Sequence, residues 1–137
     1  MTVKKPVYTH EPDLDRDAFR ALLVDSGLGL RRPIDDADRI ARMLARSDLV
    51  VTARVDGVLA GVARSITDFA YSCYLADLAV AHAFKGQGIG RGLIAETRRL
   101  AGPESMCLLL SAPDAEAFYD HIGMPRAGNA FLFPRER

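Results

Sequence analysis

The chain has no tryptophan, two cysteines and three histidines among 137 residues. Cys73 and Cys107 form no CxxC pair and have no histidine beside them, which argues against a disulfide framework or a zinc site. Both lie in apolar stretches, as reduced and buried small side chains do. His10, His82 and His121 show no metal-ligand spacing, so no metal is expected. Neither sign of charge is in excess, with 18 basic and 18 acidic residues. Nucleic-acid surfaces need clustered Lys and Arg, so no nucleic-acid partner is expected. No apolar run approaches the ~20 residues that span a bilayer, so no membrane partner is expected either. The opening Met1-Thr2-Val3-Lys4-Lys5-Pro6 is basic with no apolar stretch behind it. It does not read as a signal peptide, and the expected location is cytoplasmic.

What remains is 49% hydrophobic and 26% charged. That mix and length suit one folded domain over residues 1–137. Residues 7–9 suit a short first strand. From Asp15, a plausible N-cap, Ala18, Phe19, Leu22 and Leu23 recur at helical spacing until Ser26-Gly27. A second helix begins at Asp35-Asp36, with Ile40, Met43 and Leu44 on one side. Residues 49–55 and 58–66 read as strands joined at Asp56-Gly57, a two-residue turn that needs positive φ. Residues 72–80 form a long strand. It leads into Gly86, Gly88, Gly90 and Gly92 and then a helix to about Ala101. Residues 106–111 read as a buried central strand. Asp114 is placed to cap a last helix, which Gly123 stops. Residues 130–133 alternate weakly and end at Pro134, as a final strand would. This order predicts an α/β fold: one mixed sheet with flanking helices.

The strand–glycine–helix passage over residues 75–94 carries the chemistry. Glycines let a backbone approach a ligand closely, and a helix start offers unpaired N–H groups and a positive dipole end. Together they suit a pyrophosphate. A dinucleotide GxGxxG pattern fails because Arg91 or Leu93 stands where its last Gly is needed. A P-loop fails because residues 91–92 are Arg-Gly rather than Gly-Lys. Lys85-Gly86-Gln87-Gly88-Ile89-Gly90 does resemble the acetyl-CoA loop of the GNAT superfamily, written Q/R-x-x-G-x-G/A, with Lys in the leading place. A second stretch, Ala112-Pro113-Asp114-Ala115-Glu116-Ala117-Phe118-Tyr119 followed by Gly123-Met124, resembles that family's N-x-x-A-x-x-hydrophobic-Y helix. Ala112 replaces its Asn and Met124 its usual aromatic.

The resemblance implies a mostly antiparallel central sheet with a splayed strand before the CoA loop. It implies acetyl-CoA as co-substrate, with Leu78, Ala79 and Val80 along the pantetheine arm. Lys85, Gly86, Gln87, Gly88, Ile89, Gly90 and Arg91 would hold the pyrophosphate. Ser111 or Asp114 would stand in for the missing Asn amide. The activity implied is direct transfer of acetyl to an amine in a ternary complex. The acceptor would be a small molecule, a protein N-terminus or a lysine. Homodimers are common in such a family. A non-catalytic acyl-CoA sensor is the alternative.

Amine attack on a thioester expels a thiolate, and Tyr119 is the implied acid for it. The backbone N–H of Val80 would polarise the thioester carbonyl. Asp77 is the only carboxylate on the strand before the loop. It serves either as base or substrate-orienting group, or as a structural acceptor for neighbouring backbone or Arg groups, with a water chain as the rival base. Alternation places Asp77 on one face with Leu75 and Ala79. Tyr74 either lines the acceptor pocket or packs in the core. Arg31 and Arg32 either grip an acceptor carboxylate or phosphate, or are solvated.

Overall fold

The computed structural model describes residues 4–137. Its strands are β1 (Val7–His10), β2 (Leu49–Val55), β3 (Val58–Thr67), β4 (Ser72–Val80) and β5 (Met106–Leu108). Its helices are α1 (Arg16–Ser26), α2 (Ala37–Ala45), α3 (Ile89–Ala101) and α4 (Glu116–His121). The strands lie in the order β1-β2-β3-β4-β5. The first three pairings are antiparallel, and β4 with β5 is parallel. Hairpins give the β2–β3 and β3–β4 pairings, while β1 is joined to β2 through α1 and α2. The crossover through α3 gives the parallel pair, as a helical connection must.

Local chemistry sets the element ends. Asp15 accepts from the Ala18 N–H and caps α1; Asp36 accepts from the Arg39 N–H and caps α2. Gly27 stops α1 in the left-handed region at φ 92°. The β2–β3 turn has positive φ at both Asp56 (53°) and Gly57 (78°), as its two-residue length predicts. At the β3–β4 turn, Asp68 accepts from the N–H groups of Ala70, Tyr71 and Ser72. Those bonds, Ser72's first, pull its carboxyl down to about 2.

Apolar side chains fill both sides of the sheet. One cluster joins α1 and α2 to the sheet through Phe19, Leu23, Ile40, Val50 and Val62. The other joins α3 through Leu75, Ile89, Leu93 and Ile94 to Val51 and Ala63. Each such fully buried side chain is worth about 1.5–3 kcal/mol of transfer free energy. Gly61 of β3 lets α3 come close. A Cβ there would lie 2.9 Å from Leu93 Cδ1 and 3.1 Å from both Ile89 Cγ2 and the Ala79 carbonyl oxygen.

Four expectations are corrected. β5 is only three residues long, half-buried, and at the sheet edge rather than its centre. Among the described residues nothing pairs with its outer side, and residues 130–133 form no strand; Phe131 and Phe133 are fully exposed. Asp114 does not cap the last helix. It lies inside a 3-10 turn, Pro113–Ala115, that precedes α4, and no side chain caps either element. Asp77 does not share a face with Leu75. The β3–β4 register slips at Arg64/Ser65, where Ser65 pairs with Leu75 but Arg64 with Asp77, so Ala76 is the extra residue. One inserted residue reverses the alternation beyond it. Asp77 therefore falls on the α1/α2 side with Ala79 and with Tyr74.

Because Gly61 is enclosed by backbone as well as side chains, Gly61→Ala is expected to destabilise the fold by about 1–3 kcal/mol through overpacking. Urea unfolding of the two proteins checks this, and equal midpoints would contradict the close approach.

Candidate active site

Where β4 ends, the pairing partner is already gone. β5 pairs with β4 only as far as Tyr74↔Leu108, while β4 runs on to Val80. The Ala81 N–H donates to the Ala60 carbonyl of the neighbouring β3 side. Backbone direction alternates along a strand, so the Val80 N–H, one residue earlier, points to the vacated edge. The splay expected before the glycine loop is therefore present, and it leaves β4 with free edge groups.

A short 3-10 turn, His82–Phe84, then leads into the glycine loop. Gly86 and Gly88 both adopt left-handed φ, 79° and 81°, and Gly88 is the N-cap of α3. Side chains are strained there, which is the physical demand for Gly at both places. The first backbone bond after the turn is from Gly92 N–H to the Gly88 carbonyl. Among the described residues, the amides of residues 86–91 donate to no protein acceptor. A run of N–H groups at a helix start, beside the positive end of a 13-residue helix, is an arrangement that suits an anion.

The loop is fastened to α1 from two directions. Lys85 Nζ donates to the Ser26 carbonyl at 2.8 Å, and Asp25 Oδ2 accepts from the His82 N–H at 2.8 Å. Opposite, Phe118 of α4 rests on Gly90, where a Cβ would stand 2.9 Å from its ring. Phe118 in turn meets the Tyr119 ring edge-on, with centroids 5.1 Å apart. The glycine in the first turn of α3 thus sets how near the tyrosine helix sits.

These elements enclose a cleft of about 810 Å³. Of the residues singled out in the sequence, Arg31, Leu78, Ala79, Val80, Lys85, Gly86, Gly88, Ile89, Gly90, Arg91, Asp114 and Tyr119 line it. Gln87 lines a separate hollow with Lys4, Lys5 and Val55. Ser111, Tyr74, Arg32 and Asp77 lie outside the cleft lining. The Ser111 hydroxyl donates to the Ala112 carbonyl. Tyr74 is partly exposed rather than packed in the core. His121, set aside in the sequence, does line the cleft, as do Leu28 and Leu30 from the turn after α1.

Asp77 is fully buried and holds two guanidinium groups. Arg32 Nε donates to Oδ1 at 2.5 Å, and Arg64 Nε donates to Oδ2. Arg32 also donates to the Ala76 carbonyl at 2.8 Å, satisfying the residue that the register slip displaced. Arg64 reaches on to the Met43 carbonyl and Ser47 Oγ near the end of α2. Both carboxylate oxygens are committed, so the geometry makes Asp77 the anchor of Arg32, not a free base. Arg64 escaped the sequence reading. Its signal was a lone charge within an otherwise apolar strand, which demands a buried partner.

Burial raises the Tyr119 pKa above its ordinary value, and the Arg32 charge partly opposes that. At neutral pH the phenol keeps its proton and can donate it. Cys107 stands opposite Cys73 across β4 and β5. Burial first, and Cys73 second, push its thiol up to about 11. Such a thiol is no nucleophile near neutrality.

Residues 31–133 match a family model described as an acetyltransferase (GNAT) domain. No curated protein sequence matches the chain. Solved structures share its fold at low identity. A Staphylococcus aureus protein described as a probable acetyltransferase is 18% identical, with TM-score 0.77 over 96% of this chain and 99% of that one. The aminoglycoside N-acetyltransferase AAC(6')-Iy, solved in complex with CoA, is 16% identical, with TM-score 0.73 over 99% and 98% of the two chains. A ribosomal-protein-alanine N-acetyltransferase from Brucella melitensis is 19% identical, with TM-score 0.72 over 96% and 99%.

Removing the Asp77 charge leaves two guanidinium groups without their shared partner. Asp77→Asn is expected to cost about 3–5 kcal/mol of stability, the usual result of breaking a buried pair. Denaturant unfolding reads this out. A variant as stable as the parent but without turnover would restore Asp77 as the base.

Proposed function

The chain belongs to the GNAT acetyltransferase family, and from that premise we propose that it transfers acetyl from acetyl-CoA to an amine by direct attack in a ternary complex. The run of unpaired amides at residues 86–91, in one cleft with Tyr119, carries this reading. Six N–H groups without acceptors fit a pyrophosphate, and left-handed Gly86 and Gly88 have open space where a Cβ would stand. The CoA complex of a protein with the same fold supports the choice of cofactor.

In this reading, bound acetyl-CoA supplies the thioester, and the protein supplies placement, polarisation and a proton. The amides of residues 86–91 grip the pyrophosphate, and Arg91 at the cleft adds charge. The free edge of β4 offers the backbone groups of Leu78 and Val80 to the pantetheine arm, with Ala79 between them bonded toward β3. The Val80 N–H points to the same edge and stabilises charge developing on the thioester oxygen. The Tyr119 hydroxyl donates its proton to the departing sulfur. Arg32, locked by Asp77 and Ala76, keeps a fixed positive charge near that phenol. With Asp77 committed, the ammonium proton of the acceptor leaves to solvent in the cleft. Arg31 lines the cleft, and in this reading its guanidinium grips a carboxylate or phosphate on the amine. The acceptor is a small-molecule amine or a protein amine, and we place the reaction in the cytoplasm.

Two substitutions test the halves of this account separately. Gly88→Asp puts a carboxylate into the anion site and is expected to weaken CoA binding ~100-fold or more, which is about 2.7 kcal/mol. Calorimetric titration measures it, and undiminished affinity would count against the loop. Tyr119→Phe is expected to lower kcat by roughly 100-fold with unchanged CoA affinity. Thiol release with a panel of amines measures it. CoA binding with no turnover by the parent on any amine would instead identify a sensor.

A further inference from the structure

The sheet face that carries Asp77 is only partly roofed. α2 ends over Arg64, whose guanidinium meets the Met43 carbonyl and the Ser47 hydroxyl. Two residues on in β3, Ile66 shares the face of Arg64. The register sets Ile66 opposite Tyr74, and Tyr74 opposite Leu108. These three side chains form one row across β3, β4 and β5. Cys107 and Leu109 pack in the α3-side cluster, so Met106, Leu108 and Leu110 turn the other way, toward this row. Ile66, Tyr74, Met106 and Leu110 are 38–55% exposed. A contiguous apolar face left open to water marks a place where something binds. The row runs into the cleft along two strands. In β4, Tyr74 is followed by Ala76, whose carbonyl accepts from Arg32, and the Arg32 charge reaches the Tyr119 phenol. After β5, Leu110 is followed by Ala112, which lines the cleft with Tyr119.

We propose that the Ile66–Tyr74–Leu108 row holds the body of the acceptor, and that the acceptor is a small monoamine on an apolar body, aromatic or branched aliphatic. This rests on the acetyltransferase reading and narrows its substrate. Charge decides the class. Asp77 gives both carboxylate oxygens to Arg32 and Arg64. Asp48 accepts from the Thr67 N–H, next to Ile66, and Asp68 accepts from three N–H groups of its own turn. A polyamine or an aminoglycoside therefore finds no free carboxylate on these strands and turns, and it meets the Arg32 charge at the inner end. An apolar body instead removes from water the side chains that now face it. Size points the same way. Three strands at ~4.8 Å spacing make the row about 10 Å wide, the span of one ring with a short alkyl arm. With the body seated there, the amine nitrogen bonds to the acetyl carbon as the carbon–sulfur bond breaks. The amine's proton leaves to solvent, and the sulfur takes the Tyr119 proton, which solvent restores.

The test is steady-state kinetics of the full chain with acetyl-CoA, comparing 2-phenylethylamine and isoamylamine with spermidine and tobramycin. The two apolar amines are expected to have the higher kcat/KM by at least ~10-fold. Tyr74→Ala and Ile66→Glu are each expected to raise KM for the apolar amines ~10-fold or more, with CoA affinity and circular dichroism unchanged. Equal or faster turnover of the two polycations would overturn the proposal and leave the acetyltransferase reading standing. So would variants that keep the parent's KM for the apolar amines, the result expected if another segment or partner covers the row. CoA binding with no turnover on any amine would remove the acetyltransferase reading and this proposal with it. The Tyr74 ring signals of the parent give a second readout that needs no variant to fold. In the CoA complex they are expected to shift and saturate with 2-phenylethylamine but not with spermidine, and signals that stay still would overturn the assignment.

Discussion

Backbone amides that have nowhere to bond are the constraint around which this fold is organised. Residues 86–91 present six of them in sequence between a strand and a helix. They stay open because Gly86 and Gly88 turn the chain through left-handed φ, which keeps it from closing into an ordinary helical cap. Other parts of the structure hold that turn in place. α3 is pressed on the sheet at Gly61, Lys85 and Asp25 tie the loop approach to α1, and Phe118 closes over Gly90. A site built from backbone on a rigid frame needs little from its side chains. That explains how Lys can stand in the leading place of the loop without altering the amide array.

A second constraint lies behind the cleft. The register slip in β4 turns Asp77 toward α2 and leaves the Ala76 carbonyl unpaired in the ladder. Arg32 answers both, and Arg64 completes the charge balance. Desolvating these groups is costly, and only mutual pairing makes it tolerable. The result is a fixed guanidinium beside the tyrosine helix. The same cluster fastens the turn after α1 to the sheet at Asp77 and the Ala76 carbonyl.

Much of this was legible in the residues. Glycine spacing between an apolar strand and an amphipathic helix located the loop, because few other uses of backbone need so many glycines at a helix start. The Asp56-Gly57 turn and the caps at Asp15 and Asp36 were legible for similar local reasons. What failed was non-local. Period-two alternation cannot reveal an inserted residue, so Asp77 was assigned to the face of Leu75. Its two arginines lie 45 and 13 residues away in sequence, beyond any local pattern. A short apolar run such as residues 106–111 looks the same at an edge as at a centre, and only the partner strands distinguish them. Residues 130–133 carry a strand's pattern, yet the chain alone gives that strand no neighbour.

Titrating the isotope-labelled protein with CoA, while following the backbone amide signals of residues 86–91, tests the central claim most directly. The account predicts that these signals move together and saturate, and that they shift far less with a pantetheine lacking the pyrophosphate. Signals that stay in place while CoA binds elsewhere, or that respond equally to both ligands, would contradict it.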